Sequence, residues 1–363
     1  MAATPTTRAP WWAWLWPVLA WVLLVATTAA GTVGGVLAAA AAATLVGTVF
    51  AAVYHAEVVA LRVGEPFGTL VLAVAVTVIE VALIVSVMVG GGPDKSGLAR
   101  DTVFAAVMIV CNGIVGLCLL AGGVRHHEQG FQVQGANAAL AVLAALTTLT
   151  LVLPNFTTSE PGPVFSTSQL VFAGTVSLAL YGSFVFVQTV RHRDYFLPEG
   201  GGNEEAHASP PTSSTAAVSA GLLLASLVAV VGLAKALTPI VEAGTARFGA
   251  PKAVVGIVIA ALVLLPEGLA ALRAARANRL QTSMNLALGS ALASIGLTIP
   301  AVAAVSILIG QPLALGLGTK EEVLLALTLL VGVVTLGTGR TTVLQGVVHL
   351  VIFAAFLFLA VVP

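Results

Sequence analysis

The sequence predicts an all-α polytopic membrane protein of about eleven transmembrane helices, arranged as two inverted five-helix repeats after one extra span. Three observations carry this reading. The chain has 363 residues, of which 58% are hydrophobic and only 8% charged, with a mean hydropathy of +1.05. A soluble domain of this size would carry about a quarter charged residues, so most of this surface must face lipid or other apolar helices. The apolar residues fall in runs long enough to span a bilayer core, which takes roughly 20 residues per helix. One long hydrophilic stretch interrupts them.

The runs lie at about 11–29, 33–60, 67–90, 99–122, 136–154, 166–191, 217–238, 253–276, 283–309, 322–338 and 342–361. The first opens on Trp11, Trp12, Trp14 and Trp16, an aromatic cluster of the kind that anchors a helix at the membrane interface. Its length and that cluster favour a retained span over a cleaved leader, for which the preceding Arg8 and the small residues at its end would otherwise argue. The hydrophilic break, "RHRDYFLPEGGGNEEAHASPPTSST", Arg191 to Thr215, is rich in Gly, Pro, Ser and charge and reads as a flexible linker. The expected organisation is therefore an extra span at 1–30, a first repeat at 31–191, a linker at 192–216 and a second repeat at 217–363. Five crossings per half make the second half enter the membrane from the opposite side, the arithmetic of an inverted repeat.

Orientation follows from the basic residues. With the N-terminus inside, the inner side holds Arg8, Arg62, Arg125, Arg191, Arg193, Arg273, Arg276, Arg279 and Arg340, and the outer side Lys95, Arg100, Arg247, Lys252 and Lys320. Nine against five favours a cytoplasmic N-terminus and linker. The net charge of zero leaves no basic face for nucleic acid.

Of fifteen acidic residues, thirteen fall in loops, the linker or span ends. Glu80 and Glu267 lie deep inside apolar runs, as the 14th residue of the third run and the 15th of the eighth. These are the second spans of the two halves. An ionised carboxylate at the bilayer centre costs about 2.5–3.5 kcal/mol on insertion scales, so two at matching depth point to function rather than to a protonated side chain gluing helices together. Pro266, beside Glu267, should break or kink its helix and free carbonyl oxygens. Such oxygens beside a carboxylate suit a hard cation such as calcium or sodium. Thr77 lies one turn before Glu80, and Asn112, Asn285, Ser290 and Ser294 place further polar groups in the spans that follow; helix packing by small polar residues is the competing explanation for each. Two carboxylates in a low-dielectric site can hold protons, and an entering cation displaces them. Cation or protons, but not both, is antiport.

Other features carry less. Cys111 and Cys118 lie seven apart without the spacing of a redox or zinc site and read as small core residues. The six histidines, His55, His126, His127, His192, His207 and His349, are placed mostly at loops or ends. Arg273, Arg276 and Arg279 read as a positive-inside anchor and Arg340 as a solvated loop arginine. No phosphate-binding loop, helical zinc pair or aspartate deep in a run is present, so an ATPase, a membrane metalloprotease and an aspartyl protease are disfavoured. The chain is not expected to be an enzyme or to need a resident cofactor.

The stretches "RVGEPFGTLVLAVAVTVIEVALI" (Arg62–Ile84), "ARDTVFAAVMIV" (Ala99–Val110), "LLPEGLAALRAARANRLQTSMNLALGSALASIGLTIP" (Leu264–Pro300) and "GTGRTTVLQGVVHL" (Gly337–Leu350) resemble the bacterial calcium/proton antiporters of the ChaA type, a branch of the calcium/cation exchanger superfamily that includes ionic transporters. The resemblance covers nearly all of the chain after the first span. It implies the sodium/calcium-exchanger-like fold, two inverted five-helix halves meeting at a midplane site. It further implies that Glu80 and Glu267 correspond to the glutamates of a Gly-Asn-x-x-Glu signature in each half, which bind the cation and exchange protons. Thr77 and Leu264 stand where that signature has Asn, and Ala293 where the second half has a Gln. The expected activity is Ca2+/H+ exchange in a bacterial cytoplasmic membrane. Sodium or potassium exchange with little calcium activity is the alternative, and a passive cation channel a remote one.

Overall fold

The structure is a computed structural model that describes residues 9–30, 34–64, 67–91, 96–197, 211–247, 251 and 253–362. Arg8, Lys95, Lys252, His207 and linker residues 198–210 lie outside this description, as does the side chain of Arg247. The helices are α1 (Trp11–Ala30), α2 (Gly35–Val63), α3 (Phe67–Gly91), α4 (Leu98–Met108), α5 (Val115–His126), α6 (Val133–Thr147), α7 (Thr167–Phe186), α8 (Ser213–Arg247), α9 (Ala253–Arg276), α10 (Leu280–Ile309), α11 (Thr319–Leu336) and α12 (Val343–Val361). A π-helical turn, Ile109–Ile114, joins α4 to α5, so the twelve helices make eleven continuous rods. Each coincides with an apolar run of the sequence, because a run of about 20 apolar residues in lipid satisfies its backbone only as a helix. One rod precedes and five follow up to the linker, and five come after it.

Among the described residues, nine of these stretches are long and apolar enough to cross a membrane. The described apolar part of α3, Leu70–Ser86, is shorter. α11 opens on Lys320, Glu321 and Glu322 in its first turn, which lowers its apolar character. Large apolar side chains stand exposed along the rods, such as Val36, Leu330, Val334 and Phe358. In water that exposure would be unfavourable; lipid is its natural solvent.

The helices group into two compact units. The first takes residues up to Ile79 together with Pro210–Val241. Within it α1 lies against α2: a Cβ at Gly47 would fall inside the Trp16 indole, His55 Nε2 bonds Ala13 O at 3.0 Å, and Trp12 meets Tyr54 edge to face at 5.4 Å. His55 is thus buried inside a span, unlike the loop histidines. Trp21 Nε1 donates to Ala225 O of α8 at 3.1 Å, and Arg62 donates to Ser213 Oγ at 2.8 Å. The amphipathic indoles carry both the apolar contact and the polar tie.

The second unit, Glu80–Ser209 and Glu242–Pro363, centres on the α4–α5 rod, the most buried of the apolar stretches. α9 packs on α4 and α10, α10 on α6 and α7, and α12 on α5. Glycines let backbones touch. A Cβ at Gly256 would lie 2.9 Å from Thr102 N, and one at Gly346 would lie 2.5 Å from Leu120 N. Helix association in lipid depends on such close approach of small residues rather than on hydrophobic burial. Gly346→Leu is therefore expected to force α12 off α5 and cost about 2 kcal/mol or more, seen as a lower melting temperature in detergent and a reduced yield of monodisperse protein.

Two features depart from an all-helical reading. Gln129–Gly130 (β1) and Arg340–Thr341 (β2) form a short antiparallel ribbon, Gln129 opposite Thr341, with Arg340 Nη1 bonding Glu128 at 3.2 Å across it. The linker is also shorter than its composition suggested. Arg193–Phe196 form a 3-10 turn whose Phe196 is buried and meets Phe184 edge to face at 5.8 Å, while residues from Ser213 onward belong to α8. An aromatic side chain docked on neighbouring helices overrides the polar, Gly/Pro-rich surroundings.

Candidate ion site

Glu80 lies within α3 with 1% of its surface exposed. Its Oε2 accepts two hydroxyl hydrogen bonds from α10, from Ser294 Oγ and from Thr298 Oγ1, each at 3.0 Å. Both donors are themselves buried. Ser290, Ser294 and Thr298 follow one another at intervals of four, the spacing that stacks side chains on one helix face. Hydrogen bonds to a charged acceptor contribute about 1.5–3 kcal/mol each, enough to hold one carboxylate oxygen in place. The other oxygen, Oε1, is buried and has no hydrogen-bond partner among the described residues. An oriented carboxylate with one oxygen engaged and one available, away from water, is suited to a proton or a cation.

Glu267 is half-buried in α9. Of the break or kink expected at Pro266, the break is not there: α9 is one continuous helix from Ala253 to Arg276 with Pro266 inside it. Neighbouring helices at membrane depth sustain a proline-bearing helix. What survives of the expectation is the carbonyl of Leu262, which Pro266 leaves without its intrahelical donor. α9 packs against α10, whose hydroxyls bond Glu80, and against the π turn of the α4–α5 rod. Gly268, next to Glu267, faces that turn: a Cβ there would lie 3.0 Å from Ile114 Cδ1.

The remaining sequence candidates divide. Thr77 is buried on α3, three residues before Glu80. Ser290 is half-buried on α10, one turn before Ser294. Asn112 is buried in the π turn, but its carboxamide is engaged elsewhere: Nδ2 donates to Thr328 Oγ1 at 2.8 Å and Oδ1 meets His349 Nδ1 at 3.2 Å. Asn285 donates to Phe196 O at 2.6 Å and accepts from Gln281 at 2.9 Å, so it secures the docked linker turn rather than meeting Glu80.

Ser294 was legible as one of the polar residues of α10. Thr298 was not, although its place four residues beyond Ser294 was the available signal. The sequence groups His349 with histidines placed mostly at loops and ends, yet it lies in α12 with 1% of its surface exposed. Among the described residues no group of three or more His, Cys, Asp or Glu converges, so a cation held here would meet mainly hydroxyl, carbonyl and carboxylate oxygens.

A family model described as sodium/calcium exchanger protein matches residues 33–190 and 218–362. The chain is 52% identical to y4hA of Sinorhizobium fredii, named an ionic transporter, over 99% of this chain and 98% of that one. It is 35% identical to the sodium-potassium/proton antiporter ChaA of Escherichia coli K12, over 94% of each. The solved structure of native YfkE superimposes with a TM-score of 0.73 at 17% identity, covering 97% of this chain and all of that one. At that identity the likeness is one of fold.

Proposed function

Because the chain belongs to the sodium/calcium exchanger protein family, we propose that it is a secondary cation/proton antiporter working by alternating access, with Glu80 and Glu267 as shared cation ligands and proton carriers. The observation that carries the reading is Glu80: a fully buried carboxylate, oriented by Ser294 and Thr298, with Oε1 unengaged among the described residues. Ionised and unpaired, it would be costly in this setting; protonated or bound to a cation, it is not. The protein changes the cation's access only while one of those two partners is present, and that requirement couples the fluxes. Ser294, Thr298 and the freed Leu262 carbonyl are natural additions to the cation shell, beside Ser290.

Calcium is the first cargo proposed. Two carboxylates match a divalent charge, and calcium takes oxygen ligands with flexible geometry. A specific observation favours sodium or potassium as the second reading: the 35% identity to a protein named a sodium-potassium/proton antiporter. The excess of basic residues on one side favours an N-terminus and linker in the cytoplasm, with the chain in the cytoplasmic membrane of a bacterial cell.

The test is reconstitution into proteoliposomes holding a pH-sensitive dye and a preset pH gradient. Addition of Ca2+ is expected to dissipate the gradient. A response to Na+ or K+ alone would select the second reading. Cation entry without proton movement would mean a channel, and no response to any of the three would remove the proposal.

A further inference from the structure

α12, α11 and the π turn share a buried chain of hydrogen bonds that takes no part in holding Glu80. Thr328 Oγ1 donates to Leu324 O at 2.7 Å, so it accepts from Asn112 Nδ2 at 2.8 Å. Asn112 therefore presents its carbonyl Oδ1 to His349 Nδ1 at 3.2 Å, and Nδ1 must carry the proton. His349 Nε2 is then free to accept from Thr335 Oγ1 at 3.1 Å. His349, Asn112, Thr328 and Thr335 are each at most 3% exposed. The ring also bonds the backbone of Cys111, in the same turn, so His349 meets the π turn at two points, and the direction of the chain is set.

The turn this chain holds is not a neutral place. Ile109–Ile114 is π-helical, a departure from regular helix that recurs at functional sites. Its Ile114 faces Gly268, beside Glu267, and the turn packs on α10, which bears Ser294 and Thr298. We infer that His349 is a positioning residue for the exchange reaction: through Asn112 and the backbone of Cys111 it holds the π turn that forms the wall beside the Glu267 helix. This inference rests on the antiport reading above. His349 does not touch the cation; it sets where the wall stands when the cation binds.

The experiment compares cation-driven proton flux in proteoliposomes for wild type, His349→Leu, His349→Asn, Asn112→Leu and the double variant. An asparagine at 349 puts an amide N–H where Nδ1 lies and preserves the bond to Asn112. His349→Leu is expected to raise the apparent KM for the cation about tenfold, the scale of one lost buried hydrogen bond, with the maximal rate per folded protein within about twofold. Asn112→Leu should raise KM by the same amount or less, since it leaves the ring's bond to Cys111, the double variant should be no worse than His349→Leu, and His349→Asn should stay near wild type. An unchanged KM in His349→Leu, a loss confined to the maximal rate, or additive single effects would overturn the inference. So would His349→Asn being as impaired as His349→Leu, which would assign the ring a proton-carrying role instead. If His349→Leu does not fold, His349→Gln replaces it; its amide reaches the Nε2 position and misses Asn112, so KM should rise relative to His349→Asn, and equality of the two overturns the idea. A wild-type protein that moves no protons would remove the antiport reading, and this inference with it.

Discussion

Glu80→Gln is expected to abolish cation-driven proton movement, by about 100-fold or more, while the protein still folds. The glutamine keeps the volume of the side chain, and its carbonyl oxygen can still accept from Ser294 and Thr298, which now donate to Oε2 at 3.0 Å. What it lacks is a negative charge for the cation and an oxygen that takes and releases a proton. A loss of about 3 kcal/mol or more of ligand binding accounts for that drop. Stability should hold or rise, because a buried ionisable group has been replaced by a neutral one of equal size. Proteoliposome flux and detergent melting curves check both halves together. Retained exchange in Glu80→Gln would remove the carboxylate from the mechanism.

Glu267→Gln should be nearly as severe, and its residual activity is the more informative part. If a cation must displace protons from both carboxylates, the apparent KM rises steeply as pH falls below the point where both are protonated, up to about 100-fold per pH unit; with one left, the limit is about tenfold. The slope of log KM against pH in residual exchange should therefore fall by about half in Glu267→Gln. A slope equal to wild type, with rate alone reduced, would make Glu80 the sole shared ligand. Glu267 is half-buried where Glu80 is sealed, so the two need not contribute equally.

The architecture was readable from composition because lipid permits so little else. An apolar run of about 20 residues must become a helix, and each of the eleven did, with ends displaced by a few residues except in α8, which continues to Arg247. Glu80 and Glu267 were readable because a carboxylate in such a run is costly enough to require a reason. Residues that are cheap to bury were harder. Thr298 resembles the other threonines that bond their own helix, such as Thr147 and Thr150, until Glu80, 218 positions away, is brought against it. His349 and Asn112 are 237 positions apart, and nothing local in either span marks them as partners.

Pro266 teaches the converse. Its local rule, a proline interrupting a helix, is sound for a helix in water, yet α9 runs through it. The π turn in the α4–α5 rod, where the hydrophobic pattern signals only continuous helix, is a similar case. Hydropathy was enough to show which segments become long apolar helices and which two acids fall inside them, since both are properties of a residue against its solvent. Which hydroxyls hold Glu80, which histidine holds Asn112, and where a helix departs from regularity were decided only on assembly. Those depend on distances between segments hundreds of residues apart, and no local pattern encodes such distances.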